Sequence, residues 1–335
     1  MNEAVAIARL LDTLDVLEWI GRRMHPPRLA ELVATLGDRD ALLRAAMADA
    51  TWPEEMRDPV EHAAQATLRA CDGLREAEDL RQVYRALRQV SRALEALYPL
   101  AASLPTVSRC FFASDDRAIG AVSADGLVGV THVANETSER GGFSVYVPED
   151  YDAGRAYPLV MALHGGSGHG RQFLWSWLRE VRGRGVILVA PTAMGDTWSL
   201  MEPQVDSANL GTVLETVAGR WRVDRSRLLL TGMSDGGTFT LLSGLDEGSP
   251  FTHLAPVAAS FHPLLLTMAE PQRVRGLPVY LVHGALDWMF PVSMGRSARQ
   301  ALTAAGAAVT YREIDDLSHV YPREEGSAIL DWFLK

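Results

Sequence analysis

The sequence predicts an α/β fold: a mostly parallel, eight-stranded sheet with helices on both faces, preceded by an all-α N-terminal region. Two observations predict this division. Glycine is scarce at the start of the chain, where only Gly21, Gly37 and Gly73 occur before residue 106. Beyond that point, short β-rich runs alternate with helical stretches. We therefore expect a helical region at residues 1–105 and an α/β domain at residues 106–335.

Composition narrows the class of protein. The net charge of −10 discourages binding to nucleic acid or to an anionic membrane. No run of 18 apolar residues predicts a membrane span, and the N-terminus lacks the basic and apolar pattern of a secretory signal. The two cysteines, Cys71 and Cys110, fit neither a disulfide framework nor a zinc motif. We expect reduced thiols, a cytoplasmic location and no bound metal.

The helical region contains one distinctive segment, residues 76–98, where apolar residues follow a heptad spacing. Two interpretations stay open. The stripe packs within its own domain, or it pairs with a helix of a second copy and makes the protein a homo-oligomer. For the region as a whole, three roles stay open: a lid, an oligomerisation module or a partner-docking domain. The stripe consists of Val83, Leu87, Val90, Leu94 and Leu97.

The α/β domain contains eight β-rich runs. No helical pattern separates the first two, which predicts an antiparallel pair. The others alternate with helical patterns such as 210–221, 238–245, 294–305 and 323–333, which predicts parallel strands. The runs are Leu127–Val133, Phe143–Val147, Leu159–Leu163, Val186–Val189, Arg227–Leu230, Leu254–Ala258, Val279–Val282 and Val309–Ile314.

A nucleophile is indicated where the fifth run meets the following helix. The strand pattern at 227–231 leads into Gly232-Met-Ser-Asp-Gly236, and a helical pattern begins at Thr238. Strand, Gly-x-Ser-x-Gly and helix in this order form the nucleophile elbow. The turn is so tight that side chains two residues before or after the serine would clash. We expect the hydroxyl of Ser234 to project from the carboxyl edge of the sheet.

A serine hydroxyl needs a base, and the elbow requires the chain order serine, acid, histidine. Of the histidines after Ser234, only His319 follows the last strand, in a loop that reaches the same sheet edge. The others lie in or next to earlier strands. These are His253, His262 and His283.

The acid is expected on the loop after the preceding strand, where Asp287 follows Val279–Gly284. A carboxylate there can orient His319 and stabilise its imidazolium. Asp315 and Asp316 are rivals, but they share the loop of the histidine and would have to fold back.

An oxyanion hole needs backbone N–H donors. One is expected from Asp235, directly after the nucleophile. The other is expected from the loop after the third run, His164-Gly-Gly-Ser-Gly168, where Gly166 is favoured and Gly165 is the alternative. No Gly-Lys-Ser/Thr follows, so a phosphate-binding loop is disfavoured.

Aromatic residues near the same edge are candidates for an apolar substrate pocket. Trp198 follows the fourth run, and Trp288 and Phe290 lie next to the acid. Packing against loops is the competing interpretation.

From about Val133 to Lys335 the chain resembles the α/β-hydrolase superfamily, in particular phospholipase/carboxylesterase and dienelactone-hydrolase-like serine esterases. The resemblance is carried by Leu163-His-Gly-Gly-Ser, Thr231-Gly-Met-Ser-Asp-Gly-Gly, Val282-His-Gly-Ala-Leu-Asp and Leu317-Ser-His. It implies a catalytic domain that cleaves small-molecule carboxylic esters through an acyl-enzyme, without metal or organic cofactor. A thioesterase or a peptidase with the same triad is the alternative, and a non-catalytic binding or scaffold protein is a third. Residues 1–105 match nothing in that family.

Overall fold

The structure is a computed structural model that describes residues 2–113 and 127–335. The chain divides into two compact units, residues 1–112 and 113–335, whereas the sequence placed the boundary after residue 105. Across the described ranges, none of the helices combines the length and the apolarity that crossing a membrane requires.

The first unit is helical. Its first helix buries an apolar face that includes Leu10, Leu14 and Leu17, at the i, i+4, i+7 spacing of an amphipathic helix. The helix at 54–75 is continuous and contains Pro59 in its second turn. The helices are α1 (Asn2–Arg23), α2 (Leu29–Ala34), α3 (Arg39–Asp49), α4 (Glu54–Arg75), α5 (Leu80–Leu97) and α6 (Pro105–Arg109).

The heptad stripe of α5 is used inside this unit. The helix packs against α4 and α1. A Cβ on Gly73 of α4 would lie 3.0 Å from the Cβ of Ala86, so small residues let these two helices approach closely. Within the stripe, Val83 and Leu97 are fully buried, and Val90 and Leu94 nearly so. The stripe therefore has intramolecular partners, and association of copies stays a prediction.

The second unit contains the predicted eight-stranded sheet, in the order β1-β2-β4-β3-β5-β6-β7-β8. β2 is antiparallel to β1 and β4, which confirms the predicted antiparallel pair, and the other neighbours are parallel. The strands are β1 (Gly129–Val133), β2 (Phe143–Val147), β3 (Tyr157–Leu163), β4 (Ile187–Pro191), β5 (Val223–Met233), β6 (His253–Val257), β7 (Pro278–Gly284) and β8 (Ala308–Ile314).

The central strands are covered on both sides. Every residue of β3 and β4 is buried, although alternate side chains of a strand point to opposite faces. Continuous apolar runs are typical of such strands. The helices of this unit are α7 (Gly170–Val181), α8 (Gln204–Ala218), α9 (Asp235–Gly244), α10 (Leu264–Met268), α11 (Pro271–Val274), α12 (Val292–Ala304) and α13 (Glu325–Phe333).

The strand order reverses at β3. After β3 the chain continues to β4 on one side of it, and β5 then lies on the other side. Loops that leave neighbouring parallel strands in opposite directions open a crevice at the carboxyl edge of the sheet. The loops after β3 and β5 border this crevice, and those after β7 and β8 end at the same edge.

Candidate active site

The turn after β5 holds Ser234 in a strained conformation. Its backbone has φ 56° and ψ −119°, a region that L-residues rarely adopt. Steric crowding explains why glycines occupy the positions two residues before and two residues after the serine. A Cβ on Gly232 would lie 2.5 Å from the backbone of Gly236, and a Cβ on Gly236 would lie 2.4 Å from the carbonyl oxygen of His164. The serine thus occupies a sharp turn between β5 and α9.

Three predicted side chains meet at this turn. The Oγ of Ser234 lies 2.9 Å from Nε2 of His319, and Nδ1 of His319 lies 2.8 Å from Oδ2 of Asp287. The carboxylate accepts the Nδ1 proton, so Nε2 is free to accept the serine proton. We call Ser234, His319 and Asp287 the relay.

All three relay residues are buried, with 7% of Ser234, 3% of His319 and 7% of Asp287 exposed. Burial acts to raise the pKa of Asp287. Hydrogen bonds from His319 and from the backbone N–H groups of Phe290 and Met289 outweigh it, so the pKa lies below the ordinary value of an aspartate. Asp287 is therefore ionised at neutral pH and can stabilise a protonated His319.

His283 is a further residue at the acid, which the sequence indicated only as part of a strand. Its Nε2 donates to the carbonyl oxygen of Phe290 at 2.9 Å and lies 3.6 Å from Oδ2 of Asp287. Gly295 of α12 leaves room for the ring, since a Cβ there would lie 2.8 Å from it. His283 thus closes the loop that carries the acid.

The glycine-rich loop after β3, residues 164–169, lies against the elbow. A Cβ on Gly165 would lie 3.6 Å from the Cβ of Ser234, and a Cβ on Gly166 would lie 2.7 Å from Oδ2 of Asp235. Within the loop, the backbone N–H groups of Ser167 and Gly168 donate to the backbone carbonyl oxygens of Asp196 and Gly165. This geometry brings Gly165 to the nucleophile and Gly166 to the residue that follows it.

His164 supports this loop as a neutral side chain. Burial lowers its pKa to about 3. Its Nδ1 donates to the carbonyl oxygen of Gly165 at 2.7 Å, and its Nε2 accepts from the backbone N–H of Ala193 at 3.1 Å. Both bonds need the neutral tautomer with the proton on Nδ1.

Asp235 begins α9, so its backbone N–H is among the helix-terminal donors that have no carbonyl partner within the helix. Its carboxylate accepts a hydrogen bond from Thr197 Oγ1 at 2.6 Å. The sequence did not indicate Thr197, because it lies in a loop with no recognisable motif. This contact links the elbow to the loop after β4.

The three predicted pocket residues lie in different environments. Phe290 and Trp288 meet the ring of His319 edge-on, with ring centroids 5.2 Å and 6.1 Å away, and Trp288 is 38% exposed. Trp198 is only 1% exposed and donates through Nε1 to the carbonyl oxygen of His164 at 2.7 Å. Trp198 therefore supports the loop after β3, while the other two have surface beside the base.

Among the described residues, no group of three or more His, Cys, Asp or Glu side chains is placed to hold a metal ion. The chemistry available at this site is that of a buried hydroxyl, an imidazole, a carboxylate and backbone donors.

Comparison with known proteins agrees with this architecture. A solved structure of a ferulic acid esterase superposes with a TM-score of 0.51 at 18% identity, over 61% of this chain and 95% of that one. The second unit has the α/β-hydrolase fold. Other similar structures are a thermostable esterase (TM-score 0.46, 18% identity, 61% of each chain) and a truncated carbohydrate esterase from gut microbiota (TM-score 0.48, 13% identity, 64% of this chain and 98% of that one). The match thus spans less than two thirds of the thermostable esterase.

Sequence comparison adds a family match for the C-terminal part of the second unit. Residues 207–334 match the model of the phospholipase/carboxylesterase family. The matched segment includes Ser234, Asp287 and His319. The glycine-rich loop after β3 lies outside it.

Proposed function

We propose that this protein is a serine hydrolase that cleaves carboxylic esters through an acyl-enzyme intermediate. The observation that carries the proposal is the relay: Ser234 Oγ, His319 and Asp287 are joined by hydrogen bonds of 2.9 Å and 2.8 Å at a strained elbow. The match of residues 207–334 to an esterase family supports the same chemistry.

In the first half-reaction, Ser234 Oγ attacks the ester carbonyl carbon while Nε2 of His319 takes its proton. Asp287 stabilises the imidazolium through the Nδ1 hydrogen bond. The negative charge on the carbonyl oxygen is held by the backbone N–H groups of Gly166 and Asp235, with Gly165 as the alternative donor. The imidazolium then protonates the leaving alcohol, and the acyl group remains on Ser234.

In the second half-reaction, water replaces the alcohol. His319 takes a proton from the water, whose oxygen attacks the acyl carbon. The tetrahedral intermediate collapses, the proton returns to Ser234, and a carboxylic acid leaves. No redox step occurs, and each proton that Nε2 receives is given back within the same half-reaction.

The apolar surface beside the base suits an uncharged acyl or alcohol group. Trp288 and Phe290 flank His319, and we propose that they contact the substrate. Trp198 is fully covered, so in this proposal it acts through His164 rather than on the substrate.

The test combines a probe with a substrate panel. A fluorophosphonate probe should label the wild type and leave Ser234→Ala unlabelled. Matched esters, thioesters and amides with the same acyl group should be hydrolysed fastest as esters. Faster thioester or amide cleavage would favour the thioesterase or peptidase alternative, and absence of both labelling and turnover would favour a non-catalytic protein.

We further propose a cytoplasmic enzyme that acts on small-molecule esters, does not bind nucleic acid, and associates through its N-terminal helices. The net charge of −10 and a content of only two cysteines, Cys71 and Cys110, support the first points. Light scattering at micromolar concentration tests association. A monomeric mass would exclude the homo-oligomer.

A further inference from the structure

The loop between β4 and α8, residues 192–203, is bonded to the proposed oxyanion side of the site. Three consecutive residues of this loop each make one hydrogen bond to a residue on the oxyanion side. The backbone carbonyl oxygen of Asp196 accepts from the backbone N–H of Ser167 at 3.1 Å. Thr197 donates to the carboxylate of Asp235 at 2.6 Å, and Trp198 donates to the carbonyl oxygen of His164 at 2.7 Å.

One buried carboxylate holds this part of the loop at both ends. Asp206, in the first turn of α8, is fully buried. Its Oδ1 accepts from the backbone N–H of Met194 at 2.9 Å. Its Oδ2 accepts from the backbone N–H of Ser199 at 2.8 Å and also from the Ser199 hydroxyl. The three residues that reach the oxyanion side lie between these two anchor points. We call residues 194–199 the bracket segment.

Arg140 joins the same segment to the glycine-rich loop. Its guanidinium donates to the carbonyl oxygen of Gly168 at 2.9 Å and to that of Gly195. Burial lowers the pKa of Arg140, and the negative charges of Asp196 and Asp206 act in the opposite direction. A buried anion and a partly buried cation thus both act on the bracket segment.

The glycine-rich loop needs such support because its backbone is strained. Ser167 has φ 53°, in the left-handed region that non-glycine residues rarely adopt. Strained residues persist only where surrounding contacts hold them. The hydrogen bond from Ser167 N–H to Asp196 is such a contact, and Ser167 directly follows Gly166.

We propose that Asp206 is a positioning residue of the oxyanion hole: it fixes the bracket segment, which in turn holds the Gly166 donor. This inference rests on the proposed function. Asp206 is fully buried and bonds to Met194 and Ser199, so its contribution should be confined to the step in which charge develops on the carbonyl oxygen.

The experiment compares wild type with Asp206→Asn. The amide keeps the shape but loses the charge, and its NH₂ group turns a donor toward a backbone N–H. Since removal of one oxyanion-hole donor costs ~10²–10³ in kcat, a displaced donor should lower kcat by ~10–10² and change KM by less than ~3-fold. Affinity for a trifluoromethyl ketone, which forms a tetrahedral adduct with the serine, should fall in proportion to kcat/KM.

Two further variants keep the test decisive. Ser199→Ala removes one hydrogen bond to Asp206 and leaves both backbone bonds, so a smaller loss of ~3–10-fold in kcat is expected, which is less than the full value of one hydrogen bond to a charged group. It decides the question if Asp206→Asn does not fold. Glu215→Gln is the matched control, because Glu215 lies on the same helix but pairs with Arg225 at the surface. It should retain the kinetics of the wild type.

Wild-type kcat in a folded Asp206→Asn protein, or in Ser199→Ala if the first variant is unfolded, would overturn the inference. So would a loss that appears only in KM. Neither result would affect the proposed function, which fails instead if the wild type hydrolyses no ester and Ser234 is not labelled by the fluorophosphonate.

Discussion

The two sides of the candidate active site are built differently. The relay connects Ser234, His319 and Asp287 through side chains, each on a loop after a different strand. The proposed oxyanion side uses backbone N–H groups of Gly166 and Asp235. Their placement depends on hydrogen bonds from the bracket segment.

This difference explains why the sequence identifies the residues of one side of the site but not the contacts that position the other. A relay is made of chemically distinctive side chains, so residue type and chain order identify it. A backbone donor has no side-chain signature, and its position is set by neighbours such as Asp206 and Arg140. Substitutions on the relay should remove chemistry, whereas those on the oxyanion side should weaken it by displacement.

The largest effect is expected from Ser234→Ala, which removes the nucleophile. Loss of a triad serine costs ~10⁴–10⁶ in kcat, because the residues of such a unit depend on one another. Initial rates on the best ester of the panel measure it, with circular dichroism as the check on folding. Ser226→Ala, at an exposed position of the same strand, is the control. Full activity of Ser234→Ala would remove this serine from the mechanism.

Asp287→Asn should lower kcat by ~10²–10⁴ with little change in KM, because His319 loses its orienting charge and favours the wrong tautomer. Steady-state kinetics at neutral pH check this. Asp316→Asn, on the loop of the histidine, is the comparison. If Asp316→Asn were the damaging substitution and Asp287→Asn harmless, the assignment of the acid would be wrong.

Gly166→Ala tests the oxyanion side directly. The added methyl group would lie 2.7 Å from Oδ2 of Asp235, so the loop or the carboxylate must move. Since one oxyanion-hole donor contributes ~10²–10³ in kcat, we expect a loss of ~10–10³ with KM nearly unchanged. Gly211→Ala is the matched control, because a Cβ there meets nothing within 4 Å and lies inside α8. Equal rates for the two variants would contradict a donor at Gly166.

The smallest effect concerns pH and the support of the glycine-rich loop. An unfolded histidine binds a proton near pH ~6.5, but folded His164 binds one only near about 3. The contribution of His164 to the free energy of unfolding is therefore fully present above the unfolded pKa. It is lost at ~1.4 kcal/mol per pH unit as the pH falls from the unfolded pKa towards the folded one.

Urea unfolding at pH 7 and pH 5 measures this loss. The wild type should lose ~2 kcal/mol more between these pH values than His164→Gln, which has no proton to gain there. The exposed His262→Gln is the control and should follow the wild type. If the wild type and His164→Gln lost the same free energy of unfolding between pH 7 and pH 5, His164 would not be held neutral in the folded protein.

Much of the fold was predictable. The antiparallel start and the alternation of strands and helices were visible because buried strands carry continuous apolar runs. The helical character of residues 1–105 was also predictable, and it includes α4, which continues through Pro59 in its second turn. The heptad stripe of α5 was visible, but two helices of the same unit cover it.

The sequence by itself determined the strands, the elbow glycines and the identities of Ser234, Asp287 and His319, because these depend on residue type and local order. Only the tertiary structure decided that Asp206 holds the bracket segment, that Trp198 supports His164, and that His283 closes the acid loop. The physical reason is that buried polar groups must find hydrogen-bond partners, and here those partners come from different strand–helix connections. Such pairings leave no periodic or motif-like trace along the chain.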